Sequence, residues 1–288
     1  MGYVIVTDSV LDIEEDFLFQ NGICTVPLSF TIEGWDTVED DFGRTVSFSD
    51  FYQQLRDGKL ITTAQAQLAD FNSVFEGILK SKRDVVYLGL SSGLSGHYRI
   101  GCVAAEELRG RYRNQIYCVD TLAVSGGQTL FVREAARRKA EGMDAEQLVE
   151  WAEQFRGHIV HSLLVDDVKY LQRCGDLEQK NSLFGPRTGY CQLLHITRNG
   201  VLAQNKKVRG RKKALELLAK QTAAQLSAGD EVYISHANCV QDAQELAEYL
   251  VEHTEAKHVE YHMLNEIVGA HTGPGAVGVF FYQGEMGE

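Results

Sequence analysis

The stretch Asp84-Val85-Val86-Tyr87-Leu88-Gly89-Leu90-Ser91-Ser92-Gly93-Leu94-Ser95-Gly96-His97-Tyr98 constrains this chain more than any other. Apolar and β-branched residues run up to Leu88 and then give way to glycine and serine. Ile100, Val103, Ala104 and Leu108 follow at the i, i+3, i+4, i+8 spacing of an amphipathic helix. A buried strand, a tight turn and a helix start are predicted in that order. Such a turn leaves unpaired backbone N–H groups and three serine hydroxyls converging on one spot, which suits an anion. One serine would suffice for an ordinary helix cap. Three serines and two glycines between Ser91 and Gly96 read instead as a binding loop.

Related units recur around it. Residues 3–6 form an apolar run that ends in Thr7-Asp8-Ser9, and residues 115–119 form another that ends in Asp120-Thr121. Helical stripes lie between and after them, at Phe71, Val74, Phe75, Ile78 and Leu79, then over 130–138 and 144–155. Alternating strands and helices imply parallel strands with right-handed crossovers. Ligands of such sheets sit beyond the carboxyl ends of the strands, where all three polar loops lie. Residues 23–32 read as a further strand made irregular by Pro27. Ser49 is the expected cap of a helix over 50–56, and Thr62-Thr63-Ala64-Gln65 reads as a polar loop.

The second half has a different grammar. Strand patterns at 192–196 and 201–208 flank Asn199-Gly200, a strong hairpin signal. A strand at 158–165 and a short helix at 168–173 precede them. A helix at 214–226, a strand at 231–235, a helix at 241–252 and strands at 258–264 and 277–282 follow. The expectation is a two-domain α/β protein: residues 1–157 with a parallel, Rossmann-like sheet, and residues 158–288 with a mixed sheet.

Composition narrows the function classes. The 288 residues carry a formal charge of −12, which leaves no basic field to neutralise nucleic acid. Six scattered cysteines without a C-x-x-C pair read as reduced, mostly buried thiols. No apolar run is long enough to span a membrane and no secretory signal opens the chain, so a cytoplasmic protein is expected. No phosphate-binding glycine motif and no metal-ligand spacing occurs, so neither a bound cofactor nor a metal is expected. His158 and His161, three apart on a predicted strand, read as surface residues facing opposite sides. Within the acidic chain, Lys206, Lys207, Arg209, Arg211, Lys212 and Lys213 concentrate positive charge, either as a solvated face or as a docking patch.

Two motifs suggest chemistry. Gly89-Leu90-Ser91-Ser92-Gly93 fits the nucleophile elbow of serine hydrolases, with Asp120 or Asp166 and His236 or His271 to complete a triad. His271-Thr272-Gly273-Pro274-Gly275-Ala276 places a histidine before a stiff turn between two strands, where it can donate to an anionic group.

Taken together these segments resemble the DegV family of fatty-acid-binding proteins, which includes the lipid-binding subunit of bacterial fatty acid kinase. The resemblance covers nearly the whole chain. It rests on Thr7-Asp8-Ser9, the loop from Ser91 to Tyr98, Asp120-Thr121 with Ser125-Gly126-Gly127, and Val165-Asp166-Asp167-Val168-Lys169-Tyr170-Leu171. Lys207-Val208-Arg209-Gly210-Arg211-Lys212-Lys213-Ala214 and the His271 turn complete it. It implies two α/β domains with a long-chain fatty acid between them as ligand, its carboxylate at Thr63, Ser95 and His271 with Ser92 and Gly96 beside it. It also implies a separate kinase catalytic subunit as partner, approached by Arg209 and Arg211. A fatty-acid storage or transport role without that partner is the alternative. Three departures bear on the kinase role: Ala64 and Ala66 in the Thr63 loop, Cys174-Gly175-Asp176 where the family has Gly-Gly-Arg, and Cys191-Gln192 where it has Lys-Pro.

Overall fold

The computed structural model describes residues 2–174 and 189–283. In chain order the first half forms β1 (Tyr3–Asp8), α1 (Glu15–Gln20), β2 (Cys24–Val26), β3 (Ser29–Ile32), β4 (Thr37–Glu39), α2 (Phe48–Arg56), β5 (Ile61–Ala64), α3 (Leu68–Lys80), β6 (Asp84–Gly89), α4 (His97–Leu108), β7 (Ile116–Asp120), α5 (Gly126–Ala140) and α6 (Ala145–Phe155). The second half forms β8 (Ile159–Val165), α7 (Lys169–Cys174), β9 (Tyr190–Ile196), β10 (Leu202–Arg209), α8 (Arg211–Ala223), β11 (Glu231–His236), α9 (Val240–His253), β12 (His258–Met263), α10 (Glu266–Thr272) and β13 (Val277–Tyr282).

The apolar runs of the first half pair as expected, in a wholly parallel sheet ordered β2-β1-β6-β7. The second half forms a mixed sheet ordered β10-β9-β8-β13-β11-β12, in which β11 and β12 are parallel and the other neighbours antiparallel. Helices α3 and α4 cover the outer face of the first sheet, and α8 and α9 cover the outer face of the second. The main core lies between the sheets and joins Ile5, Phe131, Leu163, Tyr233 and Phe280. Its central helix is α5, which is buried almost all round. Gly126 and Gly127 allow that burial, because a methyl group there would strike Phe280 and Tyr233 at the first and the His161 ring at the second.

Several expectations are corrected. Residues 23–32 are not one strand. Pro27 has no N–H to give a ladder, and the chain leaves the parallel sheet after β2 to begin a separate antiparallel sheet, β4-β3-β5. Thr62 to Ala64 belong to β5 of that sheet instead of a loop. Helix α2 begins two residues earlier than expected, with the Ser47 side chain as its cap, accepting from the Asp50 N–H. His271 lies in the last turn of α10, not in a plain turn between strands; Asn265 caps that helix through its side-chain oxygen. His161 is buried, and burial pushes its pKa down to about 4, so it is a neutral core residue. Of the six thiols, all free, only Cys191 is buried and the others are half-buried.

Candidate functional site

The small antiparallel sheet decides the geometry. Phe30 pairs with Thr63 across β3 and β5, and Phe30 packs edge-on against Phe51 of α2 with ring centroids 5.2 Å apart. This unit packs against α10, and the Tyr52 hydroxyl donates to the Leu264 carbonyl at 2.8 Å. Thr63 is thereby carried from the first half to the second, where its Oγ1 lies 2.9 Å from His271 Nε2.

The serine loop meets the same place from the other side. Ser95 Oγ accepts hydrogen bonds from Gln65 Nε2 (3.3 Å) and from the His97 N–H (3.2 Å), so its own O–H is directed elsewhere. Gly96 makes room for Gln65, because a Cβ there would come within 3.1 Å of the amide. Behind the loop, His97 is fully buried and ties the pieces together. Its Nδ1 accepts from the Ala66 N–H at 3.2 Å, and its Nε2 stands 3.0 Å from Asp8 Oδ1, off the ideal hydrogen-bond direction. Asp8 also accepts from the Tyr87 hydroxyl (2.7 Å) and the Leu90 N–H (2.5 Å). The polar ends of β1, β6 and β7 therefore converge, yet Asp8 and Asp120 serve mainly to fix the loops. Asp120 Oδ1 accepts from the N–H groups of Ser92 and Leu122.

Thr63, Gln65, Ser95, Gly96 and His271 form the polar corner of a cavity of about 340 Å³ between the two halves. The rest of its wall is almost entirely aliphatic, with Leu90, Leu94 and Val124 from the first half, and Leu163, Leu194 and Ile267 among those from the second. No lysine or arginine lines it among the described residues. Gln65 and Ala64 are exposed, so the polar corner reaches the surface.

Four of the five expected ligand-binding residues, Thr63, Ser95, Gly96 and His271, line this cavity. Ser92 does not; it is half-buried and held through its N–H by Asp120. Arg209 ends β10 and is exposed. Arg211 is committed within the second half: its guanidinium contacts Asp166 at 2.5 Å and Asp242 at 2.6 Å and donates to the Gly275 carbonyl at 2.7 Å. The carboxylates hold it firmly cationic against the opposing effect of burial. Asp176 lies outside the described residues, and Cys191 donates its thiol hydrogen to Asp166 at 3.3 Å. Gln65 was missed as a site residue, although it stands in the Thr63 loop. The aliphatic wall carries no sequence signal that separates it from ordinary core.

The comparisons with known proteins decide the relationship. Residues 3–284 match the family model described as "Uncharacterised protein, DegV family". The chain belongs to the DegV family. A DegV domain-containing protein of Clostridium perfringens is 30% identical, with 97% of each chain covered, and one of Caldanaerobacter subterraneus is 32% identical, with 96% of this chain and 97% of that one covered. A DegV lipid-binding protein of Thermotoga maritima has a similar structure, with a TM-score of 0.86 at 26% identity and 99% of each chain covered. A DegV protein of Thermus thermophilus, whose structure is described as showing fatty-acid binding, gives 0.87 at 25% identity, covering 98% of this chain and all of that one. Among the described residues, no helix of this DegV protein is long and apolar enough to cross a membrane.

Proposed function

We propose that this DegV protein binds a long-chain fatty acid between residues 1–157 and 158–288 and presents its carboxylate at the corner formed by Thr63, Ser95 and His271. The observation that carries the reading is the pairing of an aliphatic cavity with a hydroxyl-lined corner that reaches solvent and that no lysine or arginine lines among the described residues. The lipid- and fatty-acid-binding descriptions of the Thermotoga and Thermus structures support it. Each buried methylene contributes about 0.8 kcal/mol, so an acyl chain supplies roughly 10 kcal/mol before ordering costs. Hydroxyl and imidazole donors hold the carboxylate without a fixed countercharge, leaving its oxygens nucleophilic. Equilibrium binding of a fatty acid and of the fatty alcohol of equal length tests this directly. The acid is expected to bind at least tenfold tighter, and equal affinity would dismiss the carboxylate corner.

The finer reading is that a separate ATP-dependent kinase subunit phosphorylates the presented carboxylate, with Arg209 on the surface that meets that partner. Arg211 is better placed to brace the Gly275 turn after His271. Arg209→Ala is expected to slow acyl phosphate formation at low salt, with the effect fading as ionic strength rises, while fatty-acid binding persists. Unchanged phosphorylation would reduce Arg209 to a solvated charge. A wild-type protein that binds lipid and is never phosphorylated would favour storage or transport.

The serine-hydrolase alternative is the weaker one. Ser91 is fully buried and its Oγ donates to the Gly200 carbonyl at 2.7 Å, bracing the first half against the β9–β10 hairpin. Among the described residues no histidine nitrogen bonds to it, and a nucleophilic serine needs one.

A further inference from the structure

We propose that Cys102 and Cys118 form a dithiol that hydroperoxides oxidise to an intramolecular disulfide, a modification site behind the serine loop and separate from the cavity. Cys118 is on β7, an edge strand of the first sheet, and its side chain belongs to the cluster that α4 covers. Tyr98 and Cys102 are four residues apart on α4 and share one face of it. The Tyr98 hydroxyl donates to the Cys118 carbonyl at 3.2 Å, which brings that face onto Cys118. Gly101, next to Cys102, lies directly against the Tyr87 ring, and Tyr87 is the register partner of Cys118 in the sheet. Helix and strand are thus fixed at close range from two directions, near enough for each thiol to bias the ionisation of the other.

That contact also sets their reactivity. The Cys118 thiol stabilises a thiolate on Cys102 and draws its pKa down to about 7 against the opposing effect of burial. Cys118 moves the other way, raised by the same contact and by its burial. One thiol is therefore the nucleophile and the other the resolving group. The Cys102 thiolate attacks one peroxide oxygen; the O–O bond breaks, and the other oxygen leaves with a proton as water or alcohol. Cys102 is then a sulfenic acid. The Cys118 sulfur attacks that sulfur, the S–O bond breaks, and hydroxide leaves with the Cys118 proton as water. The thiols lose two electrons to the peroxide, and a disulfide joins β7 to the helix whose N-terminus follows Ser95 and Gly96.

The experiment treats the full-length reduced protein with hydrogen peroxide, alkylates the remaining thiols and maps the peptides by mass spectrometry. The expected product has lost the mass of two hydrogen atoms and carries a peptide linking Cys102 to Cys118, while Cys24, Cys174, Cys191 and Cys239 remain alkylatable. Cys118→Ser removes the resolving thiol, so a dimedone adduct on Cys102 is expected in its place. Circular dichroism of each oxidised sample confirms that the fold persists. Cys102 alkylating no faster than Cys24, a disulfide between other cysteines, or both thiols surviving peroxide in the folded protein would overturn the proposal.

Discussion

Thr63→Val and Ser95→Ala are each expected to weaken fatty-acid binding roughly ten- to a hundredfold, the loss of one hydrogen bond to a charged group at about 1.5–3 kcal/mol. The effect should be large because no lysine or arginine in the described wall of the cavity can take over the charge. Thr63→Val keeps the size and branching of the side chain, so its loss is chemical, not steric. Thr63 also contacts His271 Nε2, and the valine variant leaves that nitrogen without its hydroxyl partner. Ser95→Ala removes both the donor and the acceptor that orders Gln65 and the His97 N–H. Ser92→Ala is the control, since its side chain stands outside the cavity and its N–H contact with Asp120 survives the change. Equilibrium binding of one long-chain acid to the three variants checks the set. Equal weakening by Ser92→Ala, or none by the other two, would put the carboxylate elsewhere.

Thermal stability is expected to fall as pH rises from the ordinary carboxylate range to about 9, and Glu266→Gln is expected to flatten that fall. Three carboxyl groups meet where the halves join. Asp12 accepts from Ser235 Oγ at 2.5 Å and from the Asn265 N–H at 2.8 Å, and Asp40 accepts from Asn265 Nδ2 at 2.9 Å. Glu266, the next residue, is buried with one carboxyl oxygen lacking a hydrogen-bond partner among the described residues. Burial raises all three. Asp40 reaches about 6, and Glu266 about 9 with the help of the Asp40 charge. A carboxyl group whose folded pKa is raised keeps a proton that the unfolded chain releases. Its stabilising contribution is complete below the ordinary carboxylate value and is lost as pH climbs through the folded value. For Asp40 and Glu266 the window therefore closes near pH 6 and near pH 9. Melting temperatures at closely spaced pH values measure the slope. A wild-type profile that rises across this range, or a glutamine variant with an unchanged slope, would show that these groups ionise without cost. Because Glu266 opens the helix that carries His271, fatty-acid affinity is expected to decline over the same interval.

What the sequence disclosed follows from the length of each signal. The parallel strands carry uninterrupted apolar runs and their helices carry full stripes, so periodicity alone revealed the first sheet. Asn199-Gly200 disclosed the hairpin that makes the second sheet mixed. The antiparallel unit was hidden because its strands are three or four residues long and half of them polar; Thr62-Thr63 looks like a loop until Phe30 is known to pair with it. Helix α10 was hidden for a similar reason, being seven residues with a glycine inside. Thr63 therefore entered as a candidate through family resemblance and His271 through the motif that follows it, and their contact became visible only when the two short elements were brought together. Asn265 gave no signal at all. A lone asparagine before a short helix does not announce that it joins Ser9 and Asp40 of the other half.

The most direct measurement is native mass spectrometry of the protein purified from bacteria, with the bound species ejected and identified. The expected spectrum shows one long-chain fatty acid per chain, released as a carboxylate anion and diminished or absent in the Thr63→Val and Ser95→Ala double variant. A protein that carries no lipid and takes up none from added fatty acid would contradict the proposed function, as would one whose bound lipid lacks an acidic head group.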